Sequence, residues 1–304
     1  PDPAARPSLS PRTDVVRFRV AGLALALHGR AGLHGMGLPG ELRPFSCEKG
    51  GDIRLALTAD PPPPADPRGL LFDSGSVWRV YRSRRGLLYT FRTPALDPPV
   101  YKTLDIDVGL KRGVVHIPAA RRGTRPRYAL EFPLGELLFQ HRFAREGGAE
   151  VHACGLLVGG RTVLLCGVSG AGKTTTALLW RRRRPGVTVL SDDRIILALR
   201  GRRPWAHGTP WHGEGRLSSP LGGPLAAVFF LRHAARTRAV PLAAAEAAAR
   251  LFSRTFPPVW DKGAIARVLG LCATAAGAVP CYELRFAPDA SAIEAVEDVL
   301  NREA

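Results

Sequence analysis

A glycine-rich stretch at residues 167–174 constrains the fold of this chain more than any other feature of its sequence. It has the sequence Gly-Val-Ser-Gly-Ala-Gly-Lys-Thr, which matches the pattern G-x-x-x-x-G-K-[ST]. An apolar run at residues 163–166 precedes it and a helix-forming run follows it. In this order the glycines can turn backbone N–H groups inward, and the positive end of the helix faces the same anion. The pattern predicts a polyphosphate-binding loop in an α/β sheet.

The loop residues have separate expected roles. Lys173 is expected to reach the β- and γ-phosphates of ATP, and the hydroxyl of Thr174 to bind Mg²⁺, because a hard cation prefers oxygen ligands. A chance match to a glycine-rich turn is disfavoured by the strand and helix that flank the motif. The expected nucleotide-binding residues are Gly167, Ser169, Gly170, Ala171, Gly172, Lys173, Thr174 and Thr175.

Two aspartates follow the next predicted strand, which covers residues 187–190. Asp192 and Asp193 lie at its carboxyl end, where ligands bind in open α/β sheets. Adjacent strand residues point to opposite faces, so the two carboxylates are predicted to do different tasks. One would reach Mg²⁺ or Thr174, and the other would accept a proton from an attacking hydroxyl. The alternative is a solvated strand end paired with Arg194.

Three segments together give a family resemblance. Residues 151–155 (Val-His-Ala-Cys-Gly), the loop at 167–174, and residues 190–194 (Leu-Ser-Asp-Asp-Arg) resemble the catalytic domain of HPr kinase/phosphorylase. Related small-molecule and peptide kinases share this pattern, and ATP-dependent phosphoenolpyruvate carboxykinase does so more distantly. The resemblance implies an α/β P-loop domain of the HPr kinase/PEP carboxykinase-like type with a mixed sheet, an ATP- and Mg²⁺-dependent activity, and a homo-oligomer.

The resemblance also implies residue roles. The family has a histidine 21 residues before the loop lysine, which matches His152, and its second aspartate is the proton acceptor, which matches Asp193. Asp192 is then a metal ligand with Thr174. The family's metal-binding glutamate motif is absent, and Glu214 stands at a comparable distance. The phosphorylase signature and the arginine-bearing loop do not appear, so the resemblance does not extend to phosphate removal or to HPr as the substrate.

Changes in hydrophobic pattern along the chain predict its organisation. Residues 1–14 are expected to be a disordered or trimmed start. Residues 15–130 show short alternating runs, including a hairpin whose loop is at 83–86, and predict a mostly β domain. Residues 131–304 are expected to form the P-loop catalytic domain. Within it, Trp211 is expected to shape a substrate pocket, and Arg254 is interpreted as a surface arginine that could instead contact a phosphate.

Composition limits the partners and the compartment. The net charge is +17, but only five of the 43 cationic residues are lysines, which favours a general arginine bias over a polyanion-binding patch. Nucleic acid is therefore not an expected partner. The five cysteines form no C-x-x-C pair and the apolar runs are too short to cross a bilayer, so we expect a cytoplasmic protein without a membrane partner.

These observations predict an HPr-kinase-like phosphotransferase. It would transfer the γ-phosphoryl group of ATP to a hydroxyl, with Asp193, Lys173 and His152 as catalytic residues and Thr174, Asp192 and Glu214 at the metal. The acceptor stays open among a protein or peptide serine and a small metabolite. Two alternatives remain: a non-catalytic ATP-binding regulatory module, and a nucleic-acid-stimulated ATPase, which the absence of a helicase motif disfavours.

Overall fold

The structure, a computed structural model, describes residues 13–30, 32–33, 35–94, 99–118 and 128–302. The chain divides into two compact units. One comprises the residues up to Phe18 together with Leu23–Gly135, and the other comprises Arg19–Gly22 and Glu136–Ala304. Of the predicted start at 1–14, residues 1–12 lie outside the described residues, whereas Thr13 and Asp14 belong to the first strand.

The first unit contains one eight-stranded sheet, ordered β1-β2-β3-β8-β7-β6-β5-β4. Strands β2, β3 and β8 pair in parallel, and β8 through β4 form antiparallel neighbours. The predicted hairpin is confirmed, since β5 pairs antiparallel with β6. Its strands are β1 (Thr13–Val20), β2 (Leu23–Arg30), β3 (Ile53–Thr58), β4 (Leu70–Asp73), β5 (Trp78–Arg82), β6 (Gly86–Arg92), β7 (Val100–Asp107) and β8 (Arg112–His116), with 3₁₀ turns at Gly40–Phe45 and Pro67–Gly69.

The second unit combines helices with a second sheet of eight strands, so the predicted mixed α/β class is confirmed. The sequence pattern did not indicate the strand at residues 203–208, which pairs antiparallel with the strand that precedes it. The elements are α1 (Leu134–Glu146), β9 (Ala149–Val158), β10 (Arg161–Cys166), α2 (Lys173–Arg183), β11 (Thr188–Ser191), β12 (Arg194–Arg200), β13 (Arg203–Gly208), β14 (Gly222–His233), β15 (Arg238–Pro241), α3 (Ala244–Phe252), α4 (Lys262–Ala278), β16 (Cys281–Phe286) and α5 (Ala290–Arg302).

Strand direction in this sheet brings several chain segments to one edge. Strands β10, β14 and β16 are parallel neighbours, so their carboxyl ends lie at the same edge. Strand β9 pairs antiparallel with β10, β11 and β12. The glycine-rich loop leaves the carboxyl end of β10, which is where open α/β sheets bind ligands.

The two faces of the sheet are covered by different helices. Along β10, Leu164 and Cys166 pack with residues of α3 and α4, whereas Val163 and Leu165 pack with residues of α2 and α5. This alternation follows from the two-residue period of a strand, and a strand buried on both faces is apolar throughout. Trp180 of α2 is fully buried in the second layer and fixes that helix against the sheet. The loop between β10 and α2 is thereby held at both ends.

Within the described ranges, no helix combines the length and the apolar character needed to cross a membrane.

Candidate functional site

The glycine-rich loop connects β10 to α2 through backbone conformations that require glycine. Gly170 and Gly172 have φ angles of 77° and 91°, in the left-handed region where other residues are strained. A β-carbon on Gly172 would also approach Phe286 to 3.0 Å. Gly172 is the residue that precedes the first turn of α2, and no side chain caps that turn. The N–H groups of this turn therefore remain available to an anion at the loop.

Lys173 lies inside the loop. Its ammonium donates hydrogen bonds to the carbonyl oxygens of Gly167 and Val168, at 3.0 and 3.1 Å. Burial lowers the pKa of Lys173, and the negative charge of Asp193 opposes this effect. The lysine charge is therefore positioned over the loop by the loop's own backbone.

Asp192 joins the start of α2 to the segment after β13. One of its oxygens accepts a hydrogen bond from the Thr174 hydroxyl at 3.2 Å, and the same carboxylate accepts from the backbone N–H groups of Gly213 and Gly215 at 3.0 and 2.9 Å. Asp192 is only 1% exposed. A β-carbon on Gly215 would lie 2.7 Å from both Asp192 and Thr174. The segment can thus approach the aspartate this closely only because a glycine stands there.

Asp193 has different partners from its neighbour. Strand β11 ends at Ser191, whose hydroxyl accepts hydrogen bonds from the backbone N–H groups of Asp193 and Arg194, so the chain bends between the two aspartates. One Asp193 oxygen lies 2.9 Å from Nε2 of His152 on β9, and the other accepts a hydrogen bond from Arg194. Burial raises the pKa of Asp193, but the His152 hydrogen bond and the Arg194 charge outweigh it, so the pKa is lowered overall.

Behind Asp193, Arg194 lies among buried carboxyl groups that the sequence analysis did not single out. Its Nε is 3.0 Å from Glu136 of α1 and 3.4 Å from Glu150 of β9, and Gln140 donates a hydrogen bond to Glu150 at 3.1 Å. Burial, together with the charge of Glu136, raises the pKa of Glu150 well above its ordinary value. The sequence signal was an acidic and an amide residue one turn apart on α1, which is too common to identify a site.

Arg254 differs from the surface arginine that was expected. Its Nε is buried and finds no hydrogen-bond partner among the described residues, and its carbonyl oxygen accepts a hydrogen bond from the backbone N–H of His152 at 2.7 Å. The Arg254 charge also acts on Cys166, the residue before the loop, where it opposes the rise in the thiol pKa that burial causes. A guanidinium with an unused donor therefore lies near the loop.

Trp211 is expected from the sequence to shape a substrate pocket, but it does not line the cavity described below. It is 7% exposed and packs against Phe139, with ring centroids 5.7 Å apart. Its carbonyl oxygen accepts hydrogen bonds from the hydroxyls of Ser191 and Thr209. Trp211 thus anchors the segment that carries Gly213 and Glu214.

One cavity of about 480 Å³ brings most of the predicted site residues together. The loop shares this concave surface with Asp193, His152 and Glu214. Three predicted residues are not part of the lining: Gly167 and Ala171 lie in the loop itself, and Asp192 lies behind Thr174. Among the described residues, no three His, Cys, Asp or Glu side chains converge as a metal site. The cavity is lined by His152, Ser169, Gly170, Gly172, Lys173, Thr174, Thr175, Asp193, Gly213 and Glu214.

Comparison with known proteins gives only weak structural similarity. No protein-family model matches the chain, and no curated protein matches it. Among solved structures, the Hpr(Ser) kinase/phosphatase from Coxiella burnetii matches 50% of this chain and 88% of its own, with 12% sequence identity and a TM-score of 0.30. A TM-score this low does not establish a common fold, so the chemistry of the site is argued from its own residues.

Proposed function

We propose that this protein is an ATP- and Mg²⁺-dependent kinase that transfers a phosphoryl group to a hydroxyl-bearing acceptor. One observation carries the proposal: the glycine-rich loop with Lys173 lines the same cavity as Asp193 and its partner His152. A phosphate-binding loop alone supports only nucleotide binding. A carboxylate that faces the loop across one cavity supports transfer, because phosphoryl transfer needs charge stabilisation on one side and an oriented nucleophile on the other.

The loop is the proposed site for the phosphates of ATP. The free N–H groups at the start of α2 and the ammonium of Lys173 supply positive charge from two directions. Arg254 adds a second cation, whose Nε has no partner among the described residues. Phosphoryl transfer depends almost entirely on positioning and on such charge stabilisation.

Thr174, Glu214 and Asp192 fit a magnesium ion that keeps most of its ligands from water and phosphate. Thr174 and Glu214 line the cavity and carry side-chain oxygen atoms, and oxygen is the ligand that this cation prefers. Asp192 is already bonded to the Thr174 hydroxyl and to backbone N–H groups, so it would orient the threonine. Bound Mg²⁺ would neutralise charge on the β- and γ-phosphates.

Asp193 is the proposed general base. It would accept the proton of the acceptor hydroxyl while the acceptor oxygen bonds to the γ-phosphorus, and the bond from that phosphorus to the β,γ-bridging oxygen breaks to release ADP. The lowered pKa keeps this carboxylate ionised at neutral pH. His152 and Arg194 each contact one of its oxygens, so they fix its orientation.

Transfer from γ-labelled ATP tests the proposal. Wild-type protein is incubated with Mg²⁺ and with a cell lysate separated into macromolecules and small molecules. We expect label to move from ATP to an acceptor in one fraction, which also separates a protein or peptide acceptor from a metabolite. Asp193→Asn should bind ATP and lose transfer, whereas Lys173→Ala should lose both. Asp298→Asn, an exposed aspartate of α5, is the matched control.

Three outcomes would contradict the proposal in whole or in part. Normal transfer by Asp193→Asn would refute the base assignment. ATP binding without transfer in either fraction would favour the non-catalytic regulatory module. Hydrolysis that rises with added DNA or RNA and falls steeply with salt would favour the nucleic-acid-stimulated ATPase.

A further inference from the structure

A second cavity lies next to the first along α2. Its volume is about 550 Å³, within the range of ordinary small-molecule sites. Thr175 lines both cavities, so they adjoin at the start of the helix. The proposed function does not use this second cavity. Its lining residues are Thr175, Leu178, Leu179, Arg181, Arg182 and Pro288.

The lining combines an apolar surface with unused cations. Leu178 is 42% exposed, and it forms the apolar part of the cavity with Leu179 and Pro288. Arg184, later in the same arginine run, is bound bidentately by Glu297 at 2.6 and 2.7 Å. The side chains of Arg181 and Arg182 make no hydrogen bond or ion pair within the part of the chain that the structure describes. Two guanidinium groups therefore border an apolar hollow with their donors unused.

The lining residues of this second cavity extend along one face of α2, away from the glycine-rich loop. Thr175, Leu178 and Arg182 lie at positions i, i+3 and i+7, which share one face of a helix. Seven residues extend about 10 Å at the rise of an α-helix. A ligand whose phosphates lie at the loop would pass Thr175 and reach Leu178 within one turn. The occupant must then be flat and apolar on its faces and carry acceptor atoms at its edge, because guanidinium groups only donate and also stack on planar rings.

We propose that this second cavity binds the nucleoside end of the nucleotide whose phosphates lie in the glycine-rich loop. The inference rests on the proposed function, because it assumes that the loop binds phosphates. Leu178 and Pro288 would contact the faces of the base. Arg181 and Arg182 would stack on the base or donate to acceptor atoms of the base and ribose.

Binding of Mg²⁺-ATP and of Mg²⁺-tripolyphosphate, measured by titration calorimetry, separates the two ends of the ligand. Wild type should bind ATP more tightly than tripolyphosphate, which lacks a nucleoside. Leu178→Gln removes an apolar contact from a partly exposed helix position without adding charge, so the fold should be kept. We expect it to weaken ATP binding about tenfold and to leave tripolyphosphate binding unchanged.

The arginine run supplies a matched control. Arg182→Gln should lower the ratio of ATP affinity to tripolyphosphate affinity. Arg183→Gln makes the same charge change next to it, at a residue that does not line the cavity, and should leave the ratio unchanged. Equal affinity of wild type for the two ligands, or a ratio that Leu178→Gln and Arg182→Gln leave unchanged, would overturn the nucleoside site while the phosphate loop stands. A wild type that binds neither ligand would instead refute the proposed function, and the nucleoside site with it.

Discussion

Replacing Arg194 with methionine would remove a guanidinium that lies between three carboxyl groups of the candidate site. The guanidinium contacts Glu136, Glu150 and Asp193, and its Cζ lies 4.8 Å from the centroid of the Phe256 ring. Methionine keeps much of the apolar stem of the side chain and removes the charge. The variant therefore isolates the electrostatic part of the contact.

The expected loss follows from what each carboxyl group retains. Asp193 keeps His152 as a partner, and burial and the charge of Glu136 already raise the pKa of Glu150, so the main stranded charge is Glu136. Removing one partner of a buried ion pair costs about 3–5 kcal/mol. Because the Arg194 side chain is 23% exposed, we expect the low end of that range, about 3 kcal/mol at pH 7.

The stability loss in Arg194→Met depends on pH through two opposed pKa shifts. In the wild type the lowered pKa of Asp193 contributes stability above its ordinary pKa, and this is lost as the pH falls through the lowered value. The raised pKa of Glu150 acts in the opposite sense, because an acid that folding holds protonated costs stability as the pH rises above its unfolded value. Without Arg194 the first contribution shrinks and the second cost grows. The difference between wild type and variant should therefore increase from pH 4 to pH 7.

Urea unfolding followed by tryptophan fluorescence measures this difference, since four of the five tryptophans belong to the second unit. Arg200→Met, at the exposed end of the same strand, is the control and should cost less than about 1 kcal/mol. Glu136→Gln on the Arg194→Met background should recover most of the loss. A loss below about 1 kcal/mol, or one of equal size at pH 5 and pH 7.5, would refute the claim that Arg194 neutralises buried carboxylates.

Three further changes test the site. His152→Ala removes the hydrogen bond that lowers the pKa of Asp193, so the acidic limb of the pH–kcat profile should move to higher pH; an unmoved limb would contradict this. Gly215→Ala places a methyl group against Thr174, so Mg²⁺-dependent ATP binding should weaken about tenfold, whereas Gly277→Ala, in open space on α4, should leave it unchanged. Arg254→Gln should weaken tripolyphosphate binding about tenfold at unchanged stability, and equal affinity would return that arginine to a structural role.

The elements around the glycine-rich loop could be predicted from the sequence because their patterns are local. The apolar run of β10 alternates between two helix layers, the loop glycines adopt left-handed conformations, and α2 begins at the predicted lysine. The helices α4 and α5 also follow their periodic apolar residues. Strand β13 could not be predicted because prolines, histidines and glycines surround it. Its extended form is fixed instead by pairing with β12 and β14. Such pairing is non-local and leaves little trace in one segment.

The buried acidic network behind the cavity could not be predicted, for a related reason. Glu136 lies at the start of α1 and Glu150 lies on β9, and each resembles a solvated residue in its own segment. The pairing of β9 with β12 brings Glu150 to Arg194, and the packing of α1 near the start of β12 brings Glu136 there. The sequence interpretation of Arg194 as a partner of Asp193 is confirmed as a contact, but it accounts for one of the three carboxyl groups that the arginine meets.

The two adjacent aspartates have different partners because the chain bends at Ser191. In a continuous strand the pair would alternate between faces and meet two unrelated environments. Here the Ser191 hydroxyl accepts hydrogen bonds from the backbone N–H groups of Asp193 and Arg194, and the backbone turns before β12 begins. Asp192 consequently faces backbone N–H groups, which are neutral and fixed, while Asp193 faces the side chains of His152 and Arg194 at the cavity. Neutral fixed donors suit the proposed role of Asp192 in holding Thr174, and side-chain partners at the cavity suit the proposed role of Asp193 in exchanging a proton. Both proposed roles therefore depend on one serine hydroxyl, and Ser191→Ala should disturb both aspartates together.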